Sequence, residues 1–291
     1  MPKMRKKQFF LFLLLATLFF GFYFLGKNNF FPINLKLFTP QKIAQTYPSG
    51  SPTPTPTPRP LTFSEMNSLY GPCVKLPTLM YHHVQDMETA IGKDQTSLTV
   101  DTNTFSQQME YLKAKGYKSV YMSDVLNFFD HSAPIPAKGV LITFDDGYDD
   151  FAANAAPILR EFGFVSTIFV STGLMGNPGY LSWNSIKDLA TAGDVVFANH
   201  TWSHRNVGAN RVEVEREIKT ADTQLEERNL NSPKLFAYPY GLESDWGKEI
   251  LQSLGYKLAF TTRAGSTLCE KQRLELPRVR VGNSPLGNYG L

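Results

Sequence analysis

From residue 76 onward, short apolar runs alternate with longer amphipathic segments, and this alternation limits the fold more than any other feature of the chain. Strands are read at Thr78 to His82, Tyr117 to Tyr121, Val140 to Phe144, Val165 to Val170, Val195 to Asn199, Leu235 to Tyr238, Lys257 to Thr261 and Arg278 to Val281. Helices are read at Asp101 to Lys115, from Asp149 or Asp150 to Gly163, and at Trp183 to Ala192, Val212 to Arg228 and Asp245 to Leu254, with Ser123 as the cap of a further short one. Strand–helix alternation implies a parallel sheet. Seven or eight strands in one domain point to a closed barrel.

Two motifs lie just beyond such strands. Thr143-Phe144-Asp145-Asp146-Gly147 follows the apolar run Val140-Leu141-Ile142, and His200-Thr201-Trp202-Ser203-His204 follows Val195 to Asn199. Carboxylates and histidines are the ligand types of a divalent metal with water in the remaining position. Adjacent residues on an extended backbone point to opposite sides, so one aspartate is placed to bind metal and the other to act as a base. His200 and His204 are four apart, and in a helical turn they would share one face. A metal so held acidifies a coordinated water and polarises a carbonyl. A lone DDG is usually a turn and a lone HxxxH usually structural; it is the combination, each piece after a strand, that points to chemistry.

These motifs, with Phe236-Ala237-Tyr238-Pro239-Tyr240-Gly241, resemble the polysaccharide deacetylases, the NodB-homology domain of carbohydrate esterase family four. The resemblance covers about residues 76 to 282. Leu79-Met80-Tyr81-His82-His83-Val84 narrows it to the poly-N-acetylglucosamine deacetylase-like branch, whose acid histidine precedes TFDDG. The resemblance implies an irregular (β/α)-barrel of seven or eight parallel strands. It also implies metal ligands Asp146, His200 and His204, Asp145 as base, His82 as acid with His83 as the rival, and Tyr240 as donor of a backbone N–H to the oxyanion. Zinc suits such ligands best, with cobalt, nickel and iron open. The chain departs from the family in two places. Ala237 stands where an arginine usually orients the base, with Arg278, Arg280 or Lys234 as substitutes, and the family's aspartate–tryptophan motif is missing. Trp183, Trp202 and Trp246 occur in other contexts, and His131 needs no role. The expected reaction is removal of N-acetyl groups from an N-acetylglucosamine-containing polysaccharide. O-acetyl esterase activity and a non-catalytic glycan-binding wall protein are the alternatives.

The N-terminal segment is organised differently. Residues 9 to 25 are uncharged and apolar, at the short end for a membrane-spanning helix, and Lys3, Arg5, Lys6 and Lys7 precede them. No small-x-small cleavage site follows the run. The expectation is a cytoplasmic segment at 1–8, a signal anchor at 9–25, a stalk with a Pro/Thr-rich spacer at 26–60 and a catalytic domain at 61–291, on the outer side of the cell membrane; a secreted enzyme is the alternative. The net charge of +3 does not argue for nucleic-acid binding. Eight of the 29 basic residues precede position 61, leaving 21 against 26 acidic in the rest. Cys73 and Cys269 precede the first and last strands, which are neighbours in a closed sheet; paired and unpaired thiols are both open. Nothing in the sequence sets the oligomeric state.

Overall fold

The computed structural model describes residues 59–291. The anchor, the stalk and most of the proline-rich spacer lie outside the described residues. Among the described residues, no helix is long and apolar enough to cross a membrane.

Among the described residues, twelve strands occur in chain order. They are β1 (Cys73–Lys75), β2 (Thr78–Tyr81), β3 (His83–Val84), β4 (Thr99–Val100), β5 (Lys118–Ser119), β6 (Gly139–Phe144), β7 (Ser166–Val170), β8 (Val195–Asn199), β9 (Leu235–Ala237), β10 (Leu258–Ala264), β11 (Thr267–Cys269) and β12 (Leu276–Arg280). Seven of them close into a parallel ring in the order β2, β12, β10, β9, β8, β7, β6, with β6 pairing back onto β2. The eighth parallel strand, β5, stays outside the ring on the free edge of its lower half, where it pairs with the first residues of β6. It is two residues long where five are read from the sequence. Asp124 accepts the N–H of Tyr121 at 2.8 Å, so the next helix opens at Met122 with Tyr121 and not Ser123 as its cap.

Two layers of apolar side chains follow from the period-two alternation of the strands. Leu141, Phe169, Ala198, Ala237, Phe260 and Leu276 fill the barrel interior. Their neighbours Ile142, Phe144, Ile168, Val170 and Phe197 face the surrounding helices. The helix read from Asp149 or Asp150 is a π-turn at Phe151–Ala155 followed by an α-helix at Ala156–Phe162, which ends on left-handed Gly163. Pro157 has no N–H to offer Ala153, which disfavours a regular α-turn there. The strands read from Leu235 and Arg278 begin at Leu235 and Leu276, and Trp183–Ala192 and Val195–Asn199 have the boundaries read from sequence. Cys73 and Cys269 form a disulfide at paired positions of the antiparallel β1–β11 ribbon. It links two ends of the domain 196 residues apart, an arrangement that restricts the unfolded chain.

Candidate metal and acid–base centre

The barrel rim at the C-terminal ends of β2, β6, β8 and β9 brings most of the expected residues together, as barrel active sites require. Asp146, two residues past the end of β6, has a left-handed backbone with φ of 74°. A left-handed non-glycine residue is costly and is held only where its surroundings demand it. Gly147 follows at φ 82°, and a Cβ there would meet Met175 and Val170 at 2.9 Å, so the turn needs glycine on both counts. The turn sends the two aspartates in different directions, as the alternation argument requires.

Asp146 Oδ1 faces His200 Nε2 at 3.3 Å and His204 Nε2 at 3.2 Å. The three candidate ligand atoms lie within 4.8 Å of one another, yet this buried Oδ1 has no aligned hydrogen-bond donor. Ligands about 2.0–2.1 Å from a tetrahedral zinc stand about 3.4 Å apart. The observed spacing and the unpartnered oxygen therefore fit a shared divalent metal better than a set of hydrogen bonds. His200 Nδ1 lies 2.8 Å from the carbonyl of Ala237, which fixes the tautomer and leaves Nε2 for metal. Without metal, Asp146 is held well below the usual carboxylate range: burial opposes this, but His200 and His204 outweigh it.

The histidine pair does not sit on a helical turn. Thr201 and His204 are left-handed, with φ of 67° and 59°, and the segment is a loop. Side chains build it. Asn199 Oδ1 accepts from Thr201 N at 2.7 Å, Thr201 Oγ1 accepts from Arg205 N at 3.0 Å, and buried Glu217 accepts from both Ser203 N and Oγ, at 2.7 and 2.9 Å. These local bonds replace helical ones. Asn199 and Glu217 are functional-loop residues that the sequence reading missed. Glu217 lies inside a charged helix where nothing marks it out; Asn199, at a strand end before a histidine, carried a turn signal.

Asp145 turns into the barrel and meets Arg278 of β12. The guanidinium donates to both carboxylate oxygens, Nη1 to Oδ1 at 2.7 Å and Nη2 to Oδ2 at 2.6 Å, and its Nε donates to the carbonyl of Thr261. Both side chains are buried. Arg278 is thus the residue that reaches the expected base where Ala237 cannot. Arg280 instead donates to the carbonyl of Ser97, and Lys234 pairs with Asp222 and Glu226. Burial pushes the Asp145 carboxyl up, but Arg278 and then His200 outweigh it and hold it below the usual range. If Asp145 works as a base, Arg278→Met removes the largest influence that opposes burial, leaving His200 and His82, and its pKa rises. A base must be ionised, so the acid limb of kcat/KM should move to higher pH by about one to three pH units. Breaking a buried pair should also destabilise by about 3–5 kcal/mol. Arg278→Lys keeps the charge without the fork and should fall between. An acid limb that stays put in Arg278→Met contradicts this link.

His82 and His83 divide as neighbours on a strand do. In the β2–β6 register Tyr81 pairs with Phe144, so His82 comes level with Asp145 and shares the interior face of Thr78 and Met80. Burial lowers its pKa, against the pull of the nearby Asp145 and Asp146 carboxylates. His83 faces the helical layer, where its Nδ1 lies 2.5 Å from Asp150 Oδ2 and its ring stacks on Tyr148 at 3.6 Å. Tyr240 lies in the turn Pro239–Gly241 with φ of 61°, and its exposed ring stands edge-on to His204 at 4.6 Å between centroids. Tyr148 was not singled out in the sequence. Burial, and next the charge of Asp146, raise its hydroxyl pKa, so it stays a protonated donor beside the cluster.

Comparison with known proteins points to one family. The Polysaccharide deacetylase family model matches residues 132–259. A Streptococcus pyogenes deacetylase, PplD, solved in complex with acetate, is 31% identical, superposes with a TM-score of 0.64, and is covered over 92% of its length by 72% of this chain. The structure of IcaB from Ammonifex degensii is 26% identical with a TM-score of 0.63, covering 71% of this chain and 91% of that one. The poly-beta-1,6-N-acetyl-D-glucosamine N-deacetylase of Escherichia coli strain K12 is 28% identical over 251 residues, 71% of this chain. The chain spans only 36% of that protein's length.

Proposed function

The chain belongs to the polysaccharide deacetylase family, and from this we propose that it is a metal-dependent N-deacetylase of an N-acetylglucosamine-containing polysaccharide at the cell surface. The observation that carries the reading is the division of Asp145 and Asp146 between Arg278 and the two histidines. The name of the Escherichia coli relative favours poly-N-acetylglucosamine over other glycans. A divalent metal, best zinc, held by Asp146, His200 and His204 supplies Lewis-acid polarisation and an acidified water.

The residues of the chain then have separate tasks. Asp145, kept ionised by Arg278, takes the proton of the water that attacks the acetyl carbonyl. The backbone N–H of Tyr240 donates to the developing oxyanion. His82 gives a proton to the departing amine, because an amine anion is a poor leaving group at neutral pH. Acetate and a free amine result. The apolar run at 9–25 is proposed to keep the enzyme on the membrane.

The roles of the two histidines are testable. The pH–rate profile is expected to be bell-shaped. His82→Ala should remove the alkaline limb and lower kcat by about 10²–10⁴-fold with metal retained. His83→Ala should keep both limbs and lose some stability, since half-buried Asp150 loses its imidazole partner and keeps only the Val84 N–H. If His83→Ala is the variant that loses the limb, the acid has been misassigned.

Acetate release from matched N-acetylated and O-acetylated oligosaccharides tests the function itself. Release from the N-acetylated set at a rate at least about tenfold higher supports the reading. Preference for the O-acetylated set makes the protein an esterase, and binding without release from either makes it a wall-binding protein.

A further inference from the structure

Among the described residues, several large apolar side chains are exposed, and three of them lie on loops that follow barrel strands. They are Trp202, Tyr240 and Leu242, on the loops that follow β8 and β9. Trp202 lies between the candidate ligands His200 and His204, and its seat is unusual. A Cβ built on Gly173 would stand 2.5 Å from Nε1, 2.6 Å from Cε2 and 2.8 Å from Cδ1 of the indole. An atom approaching Nε1 edge-on would be much farther from its two ring neighbours than from Nε1 itself. The near-equal distances therefore put Gly173 over the face of the ring. Backbone bonds fix the two loops together: Gly173 N donates to the carbonyl of Trp202 at 2.7 Å and Thr172 N to that of Thr201 at 3.2 Å. With one face on glycine, the indole remains 39% exposed. Gly173 is not in the left-handed region, so its own backbone does not demand glycine; Trp202 does.

An indole kept only for packing would be covered on both faces. This one lies with a face against Gly173, stays partly exposed and falls between two candidate ligands, and an apolar surface left open beside a site points to a binding surface. Tyr240, also exposed, stands edge-on to His204. A pyranose ring has the matching chemistry, a face of C–H groups bounded by hydroxyls that stay in water, and tryptophan accepts such a face at little entropic cost. We propose that Trp202 is a stacking platform for a sugar ring of the glycan next to the residue being deacetylated, and that Gly173 is the positioning residue that lets the indole lie flat. The proposal rests on the deacetylase reading above, since it concerns the substrate of that site.

The test compares β-1,6-linked N-acetylglucosamine pentamer with the monosaccharide, with turnover and calorimetric binding measured separately. Trp202→Ala should raise KM and Kd for the pentamer about tenfold, the worth of about 1.4 kcal/mol, and affect the monosaccharide far less. Trp202→Phe should recover most of the loss. Gly173→Ala should reproduce the Trp202→Ala defect, because the added methyl displaces the indole, and it should add nothing in a Trp202→Ala background. Equal losses on pentamer and monosaccharide, or additive effects of the two substitutions, overturn the platform. If the wild-type protein releases no acetate from either sugar, the function is wrong, and the binding measurements still decide the platform: pentamer binding that Trp202→Ala leaves intact overturns it, and binding that the substitution abolishes upholds it.

Discussion

Asp146→Ala is expected to lose bound metal and acetate release together. Asp146 Oδ1 is the atom that both imidazole Nε2 atoms face, at 3.2 and 3.3 Å, and it has no aligned donor of its own. Removing it leaves two histidines, too few for a tight zinc site, which needs three protein ligands. His200→Ala should behave in the same way, because its Nε2 is aimed by the Ala237 carbonyl. Thermal unfolding gives an independent readout. A metal that binds the folded protein stabilises it by about 2.7 kcal/mol at a hundredfold excess over Kd. Zinc should therefore raise the Tm of the wild type and leave that of either variant unmoved. Unchanged metal content by elemental analysis in Asp146→Ala would sink the assignment.

Asp145→Asn is the complementary result: metal retained, kcat lower by about 10²–10⁴-fold. The amide keeps the shape of the carboxylate but cannot take a proton. It also pairs poorly with the Arg278 fork, whose two donors now face one acceptor oxygen and an NH₂ group. Some loss of stability should accompany the loss of turnover, and metal content separates the two effects. Should Asp145→Asn lose metal as readily as Asp146→Asn, the roles of the two aspartates are wrongly divided.

Much of this arrangement was legible in the sequence, because alternation and strand-end placement are local signals. The run Val195 to Asn199 and the helix Trp183 to Ala192 were readable to their ends. The opposite orientation of Asp145 and Asp146 is what strand alternation leads one to expect, although the left-handed turn at Asp146 is what sets it. The closed ring, in which β2 and β12 are neighbours, agreed with Cys73 and Cys269 standing side by side on the ribbon below it. What failed was non-local. The spacing of His200 and His204 fits a helix, but the loop is shaped by Glu217, 14 residues downstream of Ser203, and no pattern in HTWSH reveals that partner. Arg278 lies 133 residues from Asp145 and was one of three equal substitutes. Its parity on β12, interior with Leu276, is the signal that separates it from Lys234, though not from Arg280. β5 was overread because a β-like composition at Tyr117 to Tyr121 says nothing about whether a partner strand is free over its whole length.

Acetate release from poly-N-acetylglucosamine by chelator-stripped protein, before and after zinc is restored, tests the central claim most directly. Release should be lost on stripping and return with about one zinc per chain, the count that a single Asp146–His200–His204 site allows. Undiminished release from protein shown to be free of metal would contradict the metal centre and the division of labour built on it.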